Sequence, residues 1–374
     1  MSQRRLVSLL VTIALPAIAA AQTIALRSPR AVFESMTKPP VPADPLELVM
    51  TDAQTVATPE QRQAVTALLD KARAHSNVRA HPYHLKTNFT SYGSSSSDGA
   101  WSLEDTSPAR KVYRWTAQGP NYSVIDLYND NLLYSNQPAG TIPLRLTQVR
   151  EAIFFIYPNF GPYASLRTAT GFLNGVTLEC VLGVQGAVGR TFSGGRDWEE
   201  SEYCVDPQQN LLITYSPAPG LYVHYDYTNA INFHGTVVPG AFMITEAGRP
   251  VIDAKTESVI DPSGLNPALF APSGLSSIGV GSVMTQPERV RSLSGMGSAP
   301  ANGNANIDVV EVIAVSSPEG QLSEPEVLAS SNTSLNQTAL ERAQNWHNGR
   351  QTQSGATPQS HEVIFTFQFV TPQS

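Results

Sequence analysis

The residues that could do chemistry in this sequence are few, and they sit in three places. The segment "RDWEESEYCVD" brings Asp197, Glu199, Glu200 and Glu202 close together, and paired carboxylates are the raw material of general acid–base catalysis. On an extended strand, however, Glu200 shares its face with Trp198 and Glu199 shares the other with Tyr203. Neither face is a clean site, and a solvated strand is expected. His81-Pro82-Tyr83-His84 offers two imidazoles for a metal. Pro82 lies between them, no helix would hold both on one face, and no carboxylate is near in sequence, so two surface histidines are expected. The motifs G-x-S-x-G, G-x-x-x-x-G-K-[ST] and G-x-G-x-x-G do not occur. The sequence therefore predicts no catalytic residue, no cofactor and no metal site, and a protein that is not an enzyme.

The third place is Cys180 and Cys204, the two cysteines of the chain, in the strand-like runs "VTLECVLG" and "SEYCVDP". In an exported protein two cysteines most often form one disulfide. A bridge closing a loop of this length stabilises a fold by roughly 3–4 kcal/mol in the chain-entropy treatment. The alternative is a pair of unpaired thiols.

Export is indicated by residues 1–21. Arg4 and Arg5 precede an apolar run from Leu6 to Ala20, and Ala19-Ala20-Ala21 is a small-residue cleavage pattern before Gln22. The run is shorter than the roughly 20 residues of a spanning helix and contains Pro16. Cleavage and a periplasmic location are expected; the alternative is retention as an inner-membrane anchor. Formal net charge is −7, with no basic stripe, so nucleic acid is not an expected partner.

The remaining chain divides by pattern. Residues 22–59 contain "KPPVPADP" and read as extended chain. A helix is predicted from Pro59, with Thr58 and Gln61 forming a capping box and Val65, Leu68, Leu69 and Ala72 making one apolar stripe. From Tyr83 to about Asp261, short Val-, Ile-, Tyr- and Thr-rich runs alternate with turn clusters, as in a meandering antiparallel sheet. "LRLTQVREAIFFIYP" interrupts them, with Val149, Ile153 and Ile156 at helical spacing before Pro158. Residues 60–272 thus form an α+β domain: a large antiparallel sheet with helices laid against it. This order, closed by "VIDAKTESVIDPSGLNPALFAPSGL", resembles the LolA-like lipoprotein-carrier half-barrels of the bacterial envelope. The resemblance implies a curved sheet around an apolar cavity for acyl chains. Residues 273–306 are rich in Gly, Ser, Ala and Asn and read as a flexible linker.

Residues 307–374 read as a small β-β-α-β domain. "NIDVVEVIAVSS" and "QLSEPEVLAS" are strands joined by a turn at Ser317-Pro318-Glu319-Gly320, and Pro325 marks the second as an edge or a bulge. Ser334 and Gln337 predict a capped helix whose stripe is Leu335, Ala339, Ala343 and Trp346. In the last strand Val363, Phe365, Phe367 and Phe369 alternate with Ile364, Thr366, Gln368 and Val370, giving an apolar face for that helix. The runs "VVEVIAV", "PEGQL", "VLASS", "LNQTAL", "ERAQNW" and "IFTFQF" resemble, in that order, the C-terminal domain of the TonB family. The prolines that usually follow the helix aromatic, the Tyr-Pro segment before the first strand and a long Pro-rich spacer are missing.

The TonB resemblance implies a peptide-binding edge at Val363–Val370, accepting an extended partner as an added strand. The leading expectation is an exported envelope protein that engages envelope or outer-membrane receptor proteins, such as a TonB-dependent receptor. The alternatives are a membrane-anchored energy transducer for TonB-dependent transport, and a periplasmic carrier of lipid or another hydrophobic ligand in the first domain.

Overall fold

A computed structural model of the chain describes residues 39–42, 49–93, 97–137, 140–154, 160–185, 195–280, 288–295, 305–346 and 360–372. The expected export signal lies outside these residues. Among the described residues, no helix is long and apolar enough to cross a membrane.

In chain order, strands β1 (Val49–Met50) and β2 (Gln54–Thr55) precede helix α1 (Pro59–Ser76). A meander follows: β3 (Tyr83–Ser91), β4 (Gly99–Ala109), β5 (Val112–Gln118), β6 (Ser123–Asn129) and β7 (Leu132–Ser135). After helix α2 (Leu144–Phe154) come β8 (Ser165–Leu173), β9 (Val176–Val184), β10 (Ser201–Asp206), β11 (Leu211–Ala218) and β12 (Leu221–Asp226). The hairpin β13 (Ile231–Phe233) and β14 (Thr236–Val238) stands apart. Then come β15 (Ala241–Glu246), β16 (Arg249–Ile260) and β17 (Ser276–Val280). The C-terminal part comprises β18 (Glu288–Gly295), β19 (Ala305–Ser316), β20 (Leu322–Ser330), α3 (Asn336–Gln344) and β21 (His361–Pro372).

Fifteen strands form one large sheet, running β1-β8-β9-β10-β11-β12-β15-β16-β3-β4-β5-β6-β7-β17, with β2 also on β8. The return of β16 onto β3, paired from Ile252↔Ser91 to Ile260↔His84 with a one-residue register shift between Thr256 and Ser258, joins its two halves. Helix α1 starts as its sequence specifies. Thr58 Oγ1 accepts from Gln61 N, Gln61 Oε1 accepts from Thr58 N, and Pro59 occupies the first turn. Val65, Leu69 and Ala72 are buried in a core that also holds Tyr83, Leu85, Phe89, Trp101, Trp115, Tyr225 and Phe242. We call this helix-bearing side the inner face.

The C-terminal sheet runs β18-β21-β19-β20. Its two faces follow from alternation along the strands. Val363, Phe365, Phe367 and Phe369 of β21, with Val310, Val312 and Ala314 of β19, face α3, where Ala339 and Ala343 are buried. Leu335 and Trp346 are half-buried on the same cluster, and the Trp346 ring meets Phe365 edge-on at 5.2 Å. The opposite face turns toward the large sheet: Ile313, Val315, Leu328 and Ile364 belong to its inner core. Trp198, Ile307, Val309, Ala329 and Val370 form a smaller apolar cluster along the same seam. At Gly220, with φ +83°, a Cβ would lie 2.0 Å from the Leu328 carbonyl oxygen, so only glycine allows the two backbones to approach this closely.

Several expectations are corrected. The final strand is not a free edge: β21 is paired in parallel with β18 from Glu288↔Val363 and antiparallel with β19 from Ala305↔Pro372. Its backbone donors and acceptors over Val363–Val370 are committed on both sides, because a strand from the expected linker adds beside it. Two pieces of that linker are therefore strands, β17 and β18, while 281–287 and 296–304 lie outside the described residues. Ser334 does not cap α3. Asn332 Oδ1 accepts from Ser334 N at the start of a 3-10 turn, and α3 begins at Asn336 with no side-chain cap. Ile156 and Pro158, expected to end α2, also fall outside the described residues. Pro325 lies on the edge strand β20, where its missing N–H costs no ladder bond.

Candidate functional site

Helix α2 explains how the two sheets meet. Its sequence, "LRLTQVREAIF", carries an apolar stripe of Leu146, Val149 and Ile153, all buried on the inner core. Leu144, Ala152 and Phe154 join the same core, and the remaining positions are polar and in an isolated helix would face water. Here Arg145, Gln148, Arg150 and Glu151 are buried as well. Isolated charges at such positions would be strongly penalised, so each must find partners.

Arg145 is fully buried between the two sheets. Its Nη1 lies 2.7 Å from Glu246 Oε1 on β15 and donates to Gln148 Oε1 at 3.0 Å. Its Nη2 donates to both carboxylate oxygens of Glu326 on β20, each at 2.8 Å. Gln148 Nε2 donates to Glu246 Oε1 at 2.6 Å. The start of α2 is held the same way. Leu144 N donates to Glu324 Oε2 at 2.9 Å, placing a carboxylate at a helix N-terminus where the backbone dipole favours it. Ile142 N donates to Ser360 Oγ at 3.2 Å. Helix α2 thus packs its apolar side on the large sheet, and its polar side chains bridge that sheet and the C-terminal one.

Further along the seam are carboxylates without such support. Glu362 is buried and neither of its oxygens has a hydrogen-bond partner; the same holds for Glu151 Oε1. Burial, then the charge of Glu246, pushes the Glu362 carboxyl up to about 8, against opposing pulls from Arg289 and Arg145. Burial, with the charge of Glu362, also holds Glu151 well above the usual carboxylate range. Glu326 is pushed up to about 7, by burial and then by Glu246. Nearby, Gln368 Nε2 donates to Glu199 Oε1 at 3.1 Å and Thr366 Oγ1 to Glu311 Oε2 at 3.2 Å.

A second buried polar group lies under α2 on the large sheet. The Arg150 guanidinium stacks 3.9 Å from the Trp115 ring centroid, donates to Tyr113 Oη at 3.0 Å and lies 3.9 Å from Asp105 Oδ1. Burial pushes Asp105 up to about 7.

Of the residues first considered for chemistry, the acidic run is not a solvated strand. Glu199, Glu200 and Glu202 are buried. Arg167, from β8, donates to Glu200 through Nε at 2.7 Å and Nη2 at 2.5 Å, and Arg196 Nη1 donates to Glu202 at 3.2 Å. These are structural ion pairs: Arg196 opens the acidic run itself, whereas Arg167 arrives from β8, beyond what local sequence reveals. His84 is also buried rather than superficial, 3.3 Å from Glu104, while His81 is exposed, its ring tilted against His234 at 4.9 Å.

Cys180 and Cys204 stand directly opposite each other on β9 and β10 and form the disulfide, with Cα atoms 4.0 Å apart. Among the described residues, Cys180, Glu202 and Cys204 are the acidic, thiol or imidazole group close enough to hold a metal. With both sulfurs bonded to each other, it presents one carboxylate rather than three ligands. A cavity of about 420 Å³ lies between α1 and β8–β9, floored by Val65, Leu68 and Val181 and rimmed by Asp52, Gln61 and Glu179. An open groove runs over the stacked rings of Phe89 and Trp101.

Of the seam residues Arg145, Glu246, Glu326 and Glu362, local pattern signals one, Arg145, which stands on a helix carrying Arg, Gln and Glu around a regular apolar stripe; the three glutamates lie on strands with no such mark.

No family model and no curated protein matches the chain, and the TonB resemblance of residues 307–370 gains no support from either comparison. The solved structures similar to parts of it include the following two. A LolA superfamily protein from Nitrosomonas europaea matches with a TM-score of 0.37 and 12% identity, over 55% of this chain and 96% of its own. A domain assigned to outer-membrane lipoprotein sorting, from Vibrio parahaemolyticus, matches with a TM-score of 0.33 and 8% identity, over 54% and 95%. At these scores, no residue role or ligand is carried over. The architecture is a large open antiparallel sheet with few helices, whose inner face is covered by a second, four-stranded sheet.

Proposed function

We propose that this is a non-enzymatic protein of the bacterial envelope that binds a hydrophobic or amphiphilic ligand on the inner face of the large sheet, with the C-terminal sheet as its built-in cover. The observation that carries this reading is a mismatch at the seam. The inner face is apolar and rich in aromatic rings. The C-terminal sheet spends its most apolar face on α3 and turns Glu311, Glu362, Thr366 and Gln368 inward beside Ile313, Val315 and Ile364. A permanent core joins two apolar faces, whereas buried carboxylates make an interface that costs free energy to keep closed. An aliphatic chain would suit the inner face better than this cover does. The carrier reading is preferred over strand addition because β21 is paired on both sides.

The test is ligand capture. Purified protein would be extracted with organic solvent and the extract examined by mass spectrometry. The delipidated protein would then be titrated with a fluorescent fatty acid. Saturable uptake is expected, and it should strengthen in an Arg145→Met variant with a loosened cover. No co-purifying amphiphile and no probe binding by either protein would sink the proposal.

A further inference from the structure

We propose that the cover is proton-held: Glu362 of β21 and Glu151 of α2 keep the C-terminal sheet closed when neutral and drive it open when ionised. This rests on reading the C-terminal sheet as a removable cover, but not on the identity of any ligand.

Helix α2 packs against β21, and each contributes a buried carboxyl group there, Glu151 and Glu362. Both oxygens of Glu362 and Oε1 of Glu151 lack a hydrogen-bond partner. After burial, the charge of Glu362 is what raises Glu151. The surrounding charges come from every element at the seam. Glu246 on β15 adds a third carboxylate and Glu326 on β20 a fourth. Tyr203 on β10, Tyr215 on β11 and Glu311 on β19 also face this region, the last two in the field of Arg289. On the cationic side stand Arg145 of α2, already engaged by Glu246 and Glu326, Arg150 next to Glu151, and Arg289 of β18. Acidic groups therefore outnumber the bases that reach them. A buried like-charged pair cannot ionise cheaply, and separating the two sheets lets water solvate both.

The direction follows from linkage. In the closed state Glu362 is pushed up to about 8, against the ordinary 4.5 that exposure would restore. The closed form holds protons that the open form releases, so closure is strongest below about pH 4.5 and weakens as pH rises through 8. For one such group the closing equilibrium could shift by up to roughly 3,000-fold across that window; an observed loss on the order of 100-fold is expected. Arg145 is unaffected, so the cover remains tethered at one end by its contacts to Glu246 and Glu326.

Hydroxyl-radical footprinting read by mass spectrometry on the full, disulfide-bonded chain tests this without a ligand: side chains at the seam become reachable when the sheets part, whereas the backbone bonds of β19 and β21 lie within the cover itself. Oxidation of the buried Tyr203 and Ile364 would be referred to Leu178, buried beside the disulfide. It should rise several-fold between pH 5 and pH 9. In Glu151→Gln/Glu362→Gln most of that rise should vanish, leaving the part due to Glu326. Should the double variant misfold, Glu151→Gln alone must still reduce the pH dependence. Constant oxidation in the wild-type protein, or an unchanged pH dependence in the variants, would overturn the inference. Opening with pH but no fatty-acid uptake would refute the proposed function and leave the switch standing; uptake with pH-independent oxidation would do the reverse.

Discussion

Arg145 sits on helix α2 and Glu326 on strand β20 of the C-terminal sheet, and Arg145 Nη2 stands 2.8 Å from both oxygens of the Glu326 carboxylate. The same guanidinium reaches Glu246 at 2.7 Å, so one buried side chain ties α2, the large sheet and the cover together. Replacing Arg145 with Met leaves two carboxylates facing each other in a dry space. Breaking a buried pair in this way costs roughly 3–5 kcal/mol. Arg145→Met should therefore lower the thermal midpoint at pH 7. Adding Glu326→Gln to it should recover part of the loss; no recovery would mean the pair is not the link.

Gly220 tests the close approach of the two backbones. With φ +83° and the Leu328 oxygen 2.0 Å from the position of a Cβ, Gly220→Ala must push β20 away. Gly175 provides the control, since it has φ +79° with open space around it. Gly175→Ala should cost about 1–2 kcal/mol, the left-handed strain alone. Gly220→Ala should cost more and should selectively deprotect β19–β21 in hydrogen exchange. Equal effects from both substitutions would contradict the seam.

Asp105 predicts a pH dependence that is separate from the cover. Burial raises its carboxyl from 3.8 to about 7, so the folded chain keeps a proton there that the unfolded chain gives up. This contribution to stability is complete below about pH 4 and is lost as pH rises through 7. Asp105→Asn preserves shape and removes the titration. It should match the wild type at pH 4 and exceed it at pH 8 by a few kcal/mol, with about 4 as a ceiling. Denaturant titrations at the two pH values give the comparison.

The disulfide should act mainly on the unfolded chain. Cys180 and Cys204 are 24 positions apart, and losing the bridge should cost roughly 3–4 kcal/mol. Reductant should therefore shift the unfolding midpoint of the wild-type protein and leave that of Cys180→Ala/Cys204→Ala unmoved.

Within the cover, Phe365 is fully buried whereas Trp346 is half-buried at the end of α3. Phe365→Ala should cost about 3–5 kcal/mol and Trp346→Ala less, since part of its ring already faces water. The reverse order in chemical denaturation would mean that α3 is misplaced on this sheet.

Much of this architecture is written locally. The Thr58–Gln61 box starts α1, the 3.6-residue stripe marks Val65, Leu69 and Ala72, and the two-residue period of β21 places Phe365, Phe367 and Phe369 under α3. The β-rich runs around Cys180 and Cys204 carry the bridge. Caps, stripes and alternation depend on residues a few positions apart, so a single sequence reveals them. Which polar residues end up away from water is decided at long range. Glu200 becomes a buried ion pair because Arg167 arrives from another strand, and Arg145 is buried because Glu326 arrives from another sheet. Pattern made the final strand look like an available edge. Only the tertiary structure laid residues 288–295 beside it and turned its polar side onto the large sheet, since pairing and burial are properties of elements brought together by folding.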